Sequence, residues 1–189
     1  MPHETLQDLY ISELKDLYSA EQQLVKALPK LGKNAESQKL SDAFASHLDE
    51  TKNQVTRLEQ IFQDLGENLK GKKCVGIQGI IEEGAEIIDE FEGSVLDAGL
   101  ISAAQRVEHY EIAAYGAVCT YAELLQRSED LGLLKETLEE EKAADEKLTQ
   151  LSESINQAAL QRGAEESVNT GRRQVGKETG RARKTRSAA

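Results

Sequence analysis

Residues 134–148 read LKETLEEEKAADEKL, and this stretch decides the fold class because its apolar side chains recur every three to four residues. That spacing places Leu134, Leu138 and Leu148 on one face of a helix. The same face also carries Glu141 and Asp145. An apolar helical stripe that contains two acids predicts a core-facing surface with ionisable groups in it.

Two further stripes in the N-terminal half predict helices A and B. Helix A begins near Leu6 and is expected to stop at Pro29 and Gly32, because proline and glycine end helices. Helix B runs from about Leu40 to a C-cap at Gly66. The connection between them is too short to cross a bundle, so the two helices are expected to be antiparallel neighbours.

The C-terminal half repeats this arrangement with helices C and D. Asp97 is the predicted N-cap of helix C, and Ser128 or Asp130 is the predicted N-cap of helix D, which fades near residue 160. The long B–C connection contains apolar residues among glycines and predicts an additional short helix. Two hairpins joined by one long crossover predict an all-α protein, an antiparallel four-helix bundle.

Charge divides the chain into an acidic body and a basic tail. The net charge is −11, but residues 161–189 hold eight Lys or Arg against three Asp or Glu and carry +5, which leaves −16 on residues 1–160. Apolar residues almost vanish from the tail, so we expect one domain over residues 1–160 and a disordered tail over residues 161–189. The acidic body favours cations over nucleic acid, and only the basic tail keeps a weak nucleic-acid role open.

Polar and acidic side chains interrupt the apolar stripe of every helix. They are Glu21 on helix A, His47, Glu50 and Gln54 on helix B, Glu108 and Glu111 on helix C, and Glu141 and Asp145 on helix D. Burying one ionised carboxylate costs several kcal/mol, so about six at one level need a positive partner. No Lys or Arg lies on these stripe positions. The pattern predicts two divalent metal ions, and the oxygen-rich donors favour iron or manganese over zinc or copper.

Several points about this set stay open. Six carboxylates exceed the charge of two divalent ions by two, so a partly protonated acid or a further cation is expected. His47 lies one turn before Glu50 and is either a nitrogen ligand or a hydrogen-bonded core residue. Tyr115, one turn after Glu111, either donates to a carboxylate or packs in the core. Any single glutamate can also flank its stripe and reach water.

Other features exclude several classes of protein. No run approaches the roughly eighteen apolar residues of a membrane span, and the N-terminus lacks a signal sequence, so the protein is expected in the cytoplasm. Cys74 and Cys119 lie far apart and have no metal-binding spacing, as expected of reduced thiols. Nucleophile elbows and phosphate-binding glycine loops are absent from the sequence.

Four segments resemble the YciF-type ferritin-like proteins of bacteria. They read YSAEQQL (18–24), HLDET (47–51), VEHYEIAAYG (107–116) and ETLEEEKAAD (136–145). The resemblance implies a ferritin-like fold, a homodimer and an association with bacterial stress responses. The wider ferritin group has a histidine three residues after the glutamate on helices B and D. Asn53 and Ala144 stand at those positions, so His47 and Asp145 are the candidates for the missing role.

Three functions are compatible with these residues and this resemblance. A metal pair that reacts with peroxide or dioxygen would make the protein a peroxidase, a catalase or a ferroxidase. The same metals held without turnover would make it a metal-sequestering protein. If no metal binds, the chain would be a structural protein that acts through partners.

Overall fold

A computed structural model describes residues 4–69, 71 and 73–185, with side chains as far as Arg162. The chain forms five helices in this part: α1 (Leu6–Asn34), α2 (Gln38–Leu65), α3 (Val75–Glu90), α4 (Gly93–Leu124) and α5 (Ser128–Thr185). The predicted all-α fold with a short helix in the long crossover is therefore confirmed. Helices A to D of the sequence correspond to α1, α2, α4 and α5.

The four long helices form a closed ring. Helix α1 packs against α2, α2 against α5, α5 against α4, and α4 against α1, while α3 covers the seam between α1 and α4. The α1–α2 and α4–α5 hairpins are joined by the crossover that contains α3. This is the ferritin-like bundle with one crossover connection.

Two apolar clusters fill opposite ends of the ring. One contains Tyr10, Phe62 and Leu134, and the other contains Leu40 and Leu100. Each of the four long helices contributes to both clusters. The predicted acids lie near the point where each helix passes from one cluster to the other. The stripes therefore bring an ionisable layer to the middle of the core.

The end of α1 differs from the prediction. The helix continues through Pro29 and Gly32 to Asn34. Leu28, just before the proline, is buried in the core, and the Ser41 hydroxyl on α2 donates to the Gly32 carbonyl at 2.9 Å. Packing and this donor from a neighbouring helix hold the last turn, although proline removes one helical hydrogen bond.

The start of α4 also differs, because the helix begins at Gly93 and Asp97 lies inside it. Gly93 has a φ of 64°, a conformation that glycine adopts readily. The buried Asp97 carboxylate instead accepts hydrogen bonds from the backbone N–H groups of Glu36 and Ser37, both at 2.8 Å. Asp97 therefore stabilises the start of α2 rather than that of its own helix.

The end of α2 and the start of α5 agree with the prediction to within about a residue. Gly66 ends α2 in the left-handed conformation, with a φ of 65°, and its N–H contacts the carbonyls of Gln63 and Phe62. Helix α5 begins at Ser128. Asp130 is buried and accepts a hydrogen bond from the Tyr10 hydroxyl at 2.9 Å.

Helix α5 extends beyond its predicted end near residue 160. It runs for 58 residues to Thr185, whereas a disordered tail was expected from residue 161. Residues 161–185 contain five Arg and three Glu, which favour helix even without an apolar stripe, although four Gly oppose it. Residues 186–189 lie outside the described part, and the division of the chain at residue 160 stays a prediction. In the described ranges, no helix has an apolar stretch long enough to cross a bilayer.

Candidate metal centre

Four side chains from three helices meet in the layer between the two apolar clusters. They are His47 on α2, Glu108 and Glu111 on α4, and Glu141 on α5, and each offers one ligand atom within 4.8 Å of the others. None of these residues is more than 7 % exposed. The acids predicted on separate stripes therefore converge at one point of the core.

Glu21 brings α1 to the same layer. Its carboxylate is fully buried and accepts a hydrogen bond from the Tyr115 hydroxyl at 2.5 Å. Burial first, and then the carboxylates of Glu21 and Glu111, raise the pKa of Tyr115 well above its usual value, so this hydroxyl remains a donor. Tyr115 thus contacts a carboxylate across the bundle, rather than that of Glu111 on its own helix.

Most carboxylate oxygens in this layer have no hydrogen-bond donor. Six buried oxygens of Glu21, Glu108, Glu111 and Glu141 find none among the described residues. Glu21 with Glu111, and Glu108 with Glu141, instead lie close enough to share a proton. Buried polar groups are normally paired, so this concentration of unpaired acceptors points to a missing positive partner.

Burial and mutual repulsion make these carboxyl groups weak acids in the absence of a cation. Desolvation, followed by the charge of Glu141, raises the pKa of Glu21 to about 8. Desolvation is also the largest cause for Glu108, whose pKa is raised to about 8. The pKa values of Glu111 and Glu141 lie well above the ordinary range for the same first reason. At neutral pH the layer therefore holds protons unless another cation replaces them.

His47 joins the layer to the protein surface. Its Nε2 lies 3.4 Å from Glu108 Oε1 and 3.7 Å from Glu141 Oε2, while its Nδ1 lies 3.3 Å from Glu50 Oε2. Burial lowers the pKa of His47, but the hydrogen bond to Glu50 and the charges of Glu141 and Glu21 together raise it above the usual value. A histidine with one nitrogen on a carboxylate and the other facing acids is the arrangement that metal-binding histidines use.

Besides Glu21, two of the predicted site residues, Glu50 and Asp145, lie outside the four-residue group. The Glu50 side chain is 43 % exposed, and the hydrogen bond from His47 is the main reason that its pKa is lowered. The Asp145 carboxylate is 22 % exposed, accepts a hydrogen bond from Gln105 at 3.1 Å and lies 3.5 Å from His109 Nε2. The structure places Glu50 behind His47 and Asp145 beside the outer face of α4, so a ligand role for either stays a prediction.

Gln54, which shares the stripe of His47 and Glu50, was not among the predicted metal ligands. Gln54 is 1 % exposed, its Nε2 donates to Glu140 at 3.1 Å, and its Oε1 has no partner among the described residues. The available signal was its position one turn after Glu50 on the same stripe. An amide at such a position does not by itself indicate a metal, so Gln54 was not included in the predicted ligand set.

Known proteins share both the sequence and the fold. Residues 5–161 match the family described as "Domain of unknown function (DUF892)". Protein YciF of Escherichia coli strain K12 is 50 % identical over 163 residues, which cover 84 % of this chain and 98 % of that protein. The crystal structure of this E. coli stress protein superposes with a TM-score of 0.79 at 48 % identity, covering 82 % of this chain and 99 % of the other.

Two more solved structures are similar. YcfI of Rhodopseudomonas palustris is suggested to be a structural protein. Its structure matches with a TM-score of 0.75 at 44 % identity, and the match covers 77 % of this chain and 94 % of the YcfI chain. A protein of Xanthomonas campestris pv. campestris has a TM-score of 0.67 at 18 % identity, which shows a shared fold alone. The resemblance to YciF-type proteins that the four segments indicated is confirmed. The chain belongs to the DUF892 family.

Proposed function

We propose that the protein holds two iron or manganese ions among its buried carboxylates and uses them on peroxide or dioxygen during bacterial stress. The observation that carries this proposal is the set of six buried carboxylate oxygens without a hydrogen-bond donor in the described part of the chain. A divalent cation is the partner that satisfies several such oxygens at once.

The charge of the layer supports the number of ions. Among the described residues, Glu21, Glu108, Glu111 and Glu141 are the buried carboxylates of this layer, and when ionised they carry −4. Two divalent cations carry +4, so the excess of two negative charges expected from six acids disappears. Glu50 and Asp145 reach water and need no compensation inside the core.

The kinds of donor atom support the identity of the ions. Four carboxylates and one imidazole make an oxygen-rich set with a single nitrogen, which suits iron or manganese. Such an ion, when bound, supplies a redox-active Lewis acid with open coordination positions for an oxidant. The protein's own residues orient the donors: the Tyr115 hydroxyl holds Glu21, and Glu50 holds the imidazole of His47.

The relatives support a role in stress more than a particular reaction. The E. coli relative is described as a stress protein, and the R. palustris relative is described in structural terms. A metal centre that consumes an oxidant would connect the buried layer with such a role. A protein that bound no metal would favour the structural description.

Metal stoichiometry tests the centre. We expect purified protein to bind about two Mn²⁺ or Fe²⁺ per chain in equilibrium dialysis with elemental analysis. Glu111→Gln keeps the shape of a fully buried donor but removes its charge, so it should lose most of that metal. Glu139→Gln is the matched control, because Glu139 lies at the surface of α5 and pairs with Lys142. Equal metal content in both variants would contradict the proposed centre.

Peroxide consumption tests the reaction. Metal-loaded wild-type protein and Glu139→Gln should remove peroxide at equal rates, and Glu111→Gln should be nearly inactive. Two bound metals without any consumption of peroxide or dioxygen would leave metal sequestration as the function. The two measurements therefore separate a catalytic centre from a storage site.

A further inference from the structure

A cavity between α2 and α5 connects the buried layer with the surface. Its volume is about 160 Å³, which is room for several water molecules, and it is lined by His47 and Glu108 at its inner end. Glu50 and Lys147 also line it, and the Glu50 side chain is 43 % exposed. One continuous space therefore runs from solvent to two members of the acid layer.

Small side chains keep this cavity open. Ala143 and Ala144 on α5 form part of its wall. We therefore expect a larger side chain at Ala144 to narrow the space. Ala144 lies three residues after the buried Glu141, so its side chain stands on the same side of α5.

We propose that the α2–α5 cavity is the port through which metal ions enter and leave the buried carboxylates, and that Ala144 sets its width. This inference rests on the proposed function, since it assigns a route to the same centre. His47 and Glu108 meet the entering ion at the inner end, and the exposed carboxylate of Glu50 meets it at the outer end.

The mouth of the port carries opposite charges. Lys147 and Glu50 both line the cavity, one with an ammonium group and the other with a carboxylate. The ammonium group opposes the approach of a cation, while Glu50 favours it. Removing the positive charge alone should therefore speed the entry of a cation, with an effect that salt weakens.

A second cavity reaches Glu108 from the opposite side and provides a comparison. It lies between α1, α3 and α4, has a volume of about 30 Å³, and is lined by apolar residues apart from Glu108. A hydrated divalent ion does not shed its water readily into an apolar space. Gly84 lines this cavity, and a Cβ added there would meet only the Ala103 side chain, at an ordinary 3.6 Å.

The test is the exchange of Mn²⁺ by full-length protein. Uptake is followed by the loss of the aqueous Mn²⁺ electron paramagnetic resonance signal after rapid mixing, and release is followed with an excess of chelator. Ala144→Leu should slow both rate constants by about tenfold or more and leave the equilibrium Kd nearly unchanged, because a narrowed port affects entry and exit alike. Lys147→Gln should raise the uptake rate by about threefold at low ionic strength.

Two variants serve as controls. Ala158→Leu makes the same substitution at an exposed position of α5 outside the cavity, and Gly84→Ala narrows the apolar cavity instead. Both should exchange Mn²⁺ at the wild-type rate. Wild-type exchange rates in Ala144→Leu, or a weaker Kd with an unchanged uptake rate, would overturn the port while leaving the proposed function standing. Failure of the wild-type protein to bind Mn²⁺ would overturn both.

Discussion

Replacing Glu21 by glutamine is expected to stabilise the metal-free protein at neutral pH. The carbonyl of the new amide can accept the hydrogen bond that the Tyr115 hydroxyl now gives to Glu21 Oε1. The amide NH₂ then takes the place of Glu21 Oε2, which has no donor, and it faces the Glu111 carboxyl group, whose two oxygens also lack a donor among the described residues. The substitution removes a charge, keeps the shape and adds a donor.

The size of the effect follows from the pKa of Glu21. The folded protein raises this pKa to about 8 from an ordinary value of 4.5, mainly through burial. At pH 7 the folded chain therefore binds a proton that the unfolded chain has released, which costs on the order of 3 kcal/mol of stability. Because the folded state binds more protons, the free energy of unfolding falls as pH rises from about 4.5 to about 8.

Urea unfolding in the presence of a chelator measures this difference. We expect Glu21→Gln to be more stable than wild type by about 3 kcal/mol at pH 7 and equally stable near pH 4.5. The fall of the free energy of unfolding with pH should be smaller in the variant by up to about 1.4 kcal/mol per pH unit, which corresponds to about one proton. Glu59→Gln is the matched control, because Glu59 accepts a hydrogen bond from the Tyr18 hydroxyl at the surface. This control should change stability by less than about 0.5 kcal/mol.

The reasoning would be refuted by a metal-free Glu21→Gln protein that is no more stable than wild type at pH 8. An unchanged pH slope would refute it equally, since the slope counts the protons bound on folding. With saturating Mn²⁺ the wild-type protein should be the more stable of the two, because the variant lacks one carboxylate ligand for the metal. A variant that is more stable than wild type without metal and less stable with it would show that the Glu21 carboxylate serves metal binding rather than packing.

Three further predictions follow from other contacts and expectations. Asp97→Ala removes the acceptor of the Glu36 and Ser37 backbone amides and should lower the free energy of unfolding by about 2 kcal/mol, measured by urea titration; an unchanged midpoint would contradict this role. Binding of Mn²⁺ at pH 7 should release about two protons from Glu21 and Glu108 alone, measured by calorimetry in buffers of different ionisation enthalpy, and no release would contradict their raised pKa values. Native mass spectrometry should give twice the chain mass of 20.8 kDa for the expected homodimer, and a monomer would rule it out.

The central layer was predictable because the spacing of apolar residues along each helix shows which of its faces is buried. Glu21, Glu108, Glu111 and Glu141 occupy positions that a period of 3.6 residues assigns to the core, and all four are buried in the structure. Periodicity reports which face of a helix is buried. It does not report what lies opposite, so the contact between Tyr115 and Glu21 across the bundle could not be inferred from either helix alone.

The helix ends were less predictable where another element supplied the missing partner. Pro29 and Gly32 carry local stop signals, but the Ser41 hydroxyl on α2 satisfies the Gly32 carbonyl and α1 continues. Asp97 carries a local start signal, but its carboxylate binds backbone amides at the start of α2. In each case a contact distant in sequence outweighed a preference of the local segment.

The structure buries fewer acids than the sequence predicted, again because of contacts with residues distant from the local stripe. Glu50 and Asp145 share their stripes with buried acids, so periodicity counted them as core residues. The structure partly exposes both, because Glu50 turns to His47 Nδ1 and Asp145 turns to Gln105 on α4. Four acids rather than six then need compensation inside the bundle. Without metal, a core with four buried carboxyl groups binds protons at neutral pH at a cost in stability. Two divalent ions neutralise the four carboxylates instead, so the features that weaken the metal-free fold are those that favour binding of the metal.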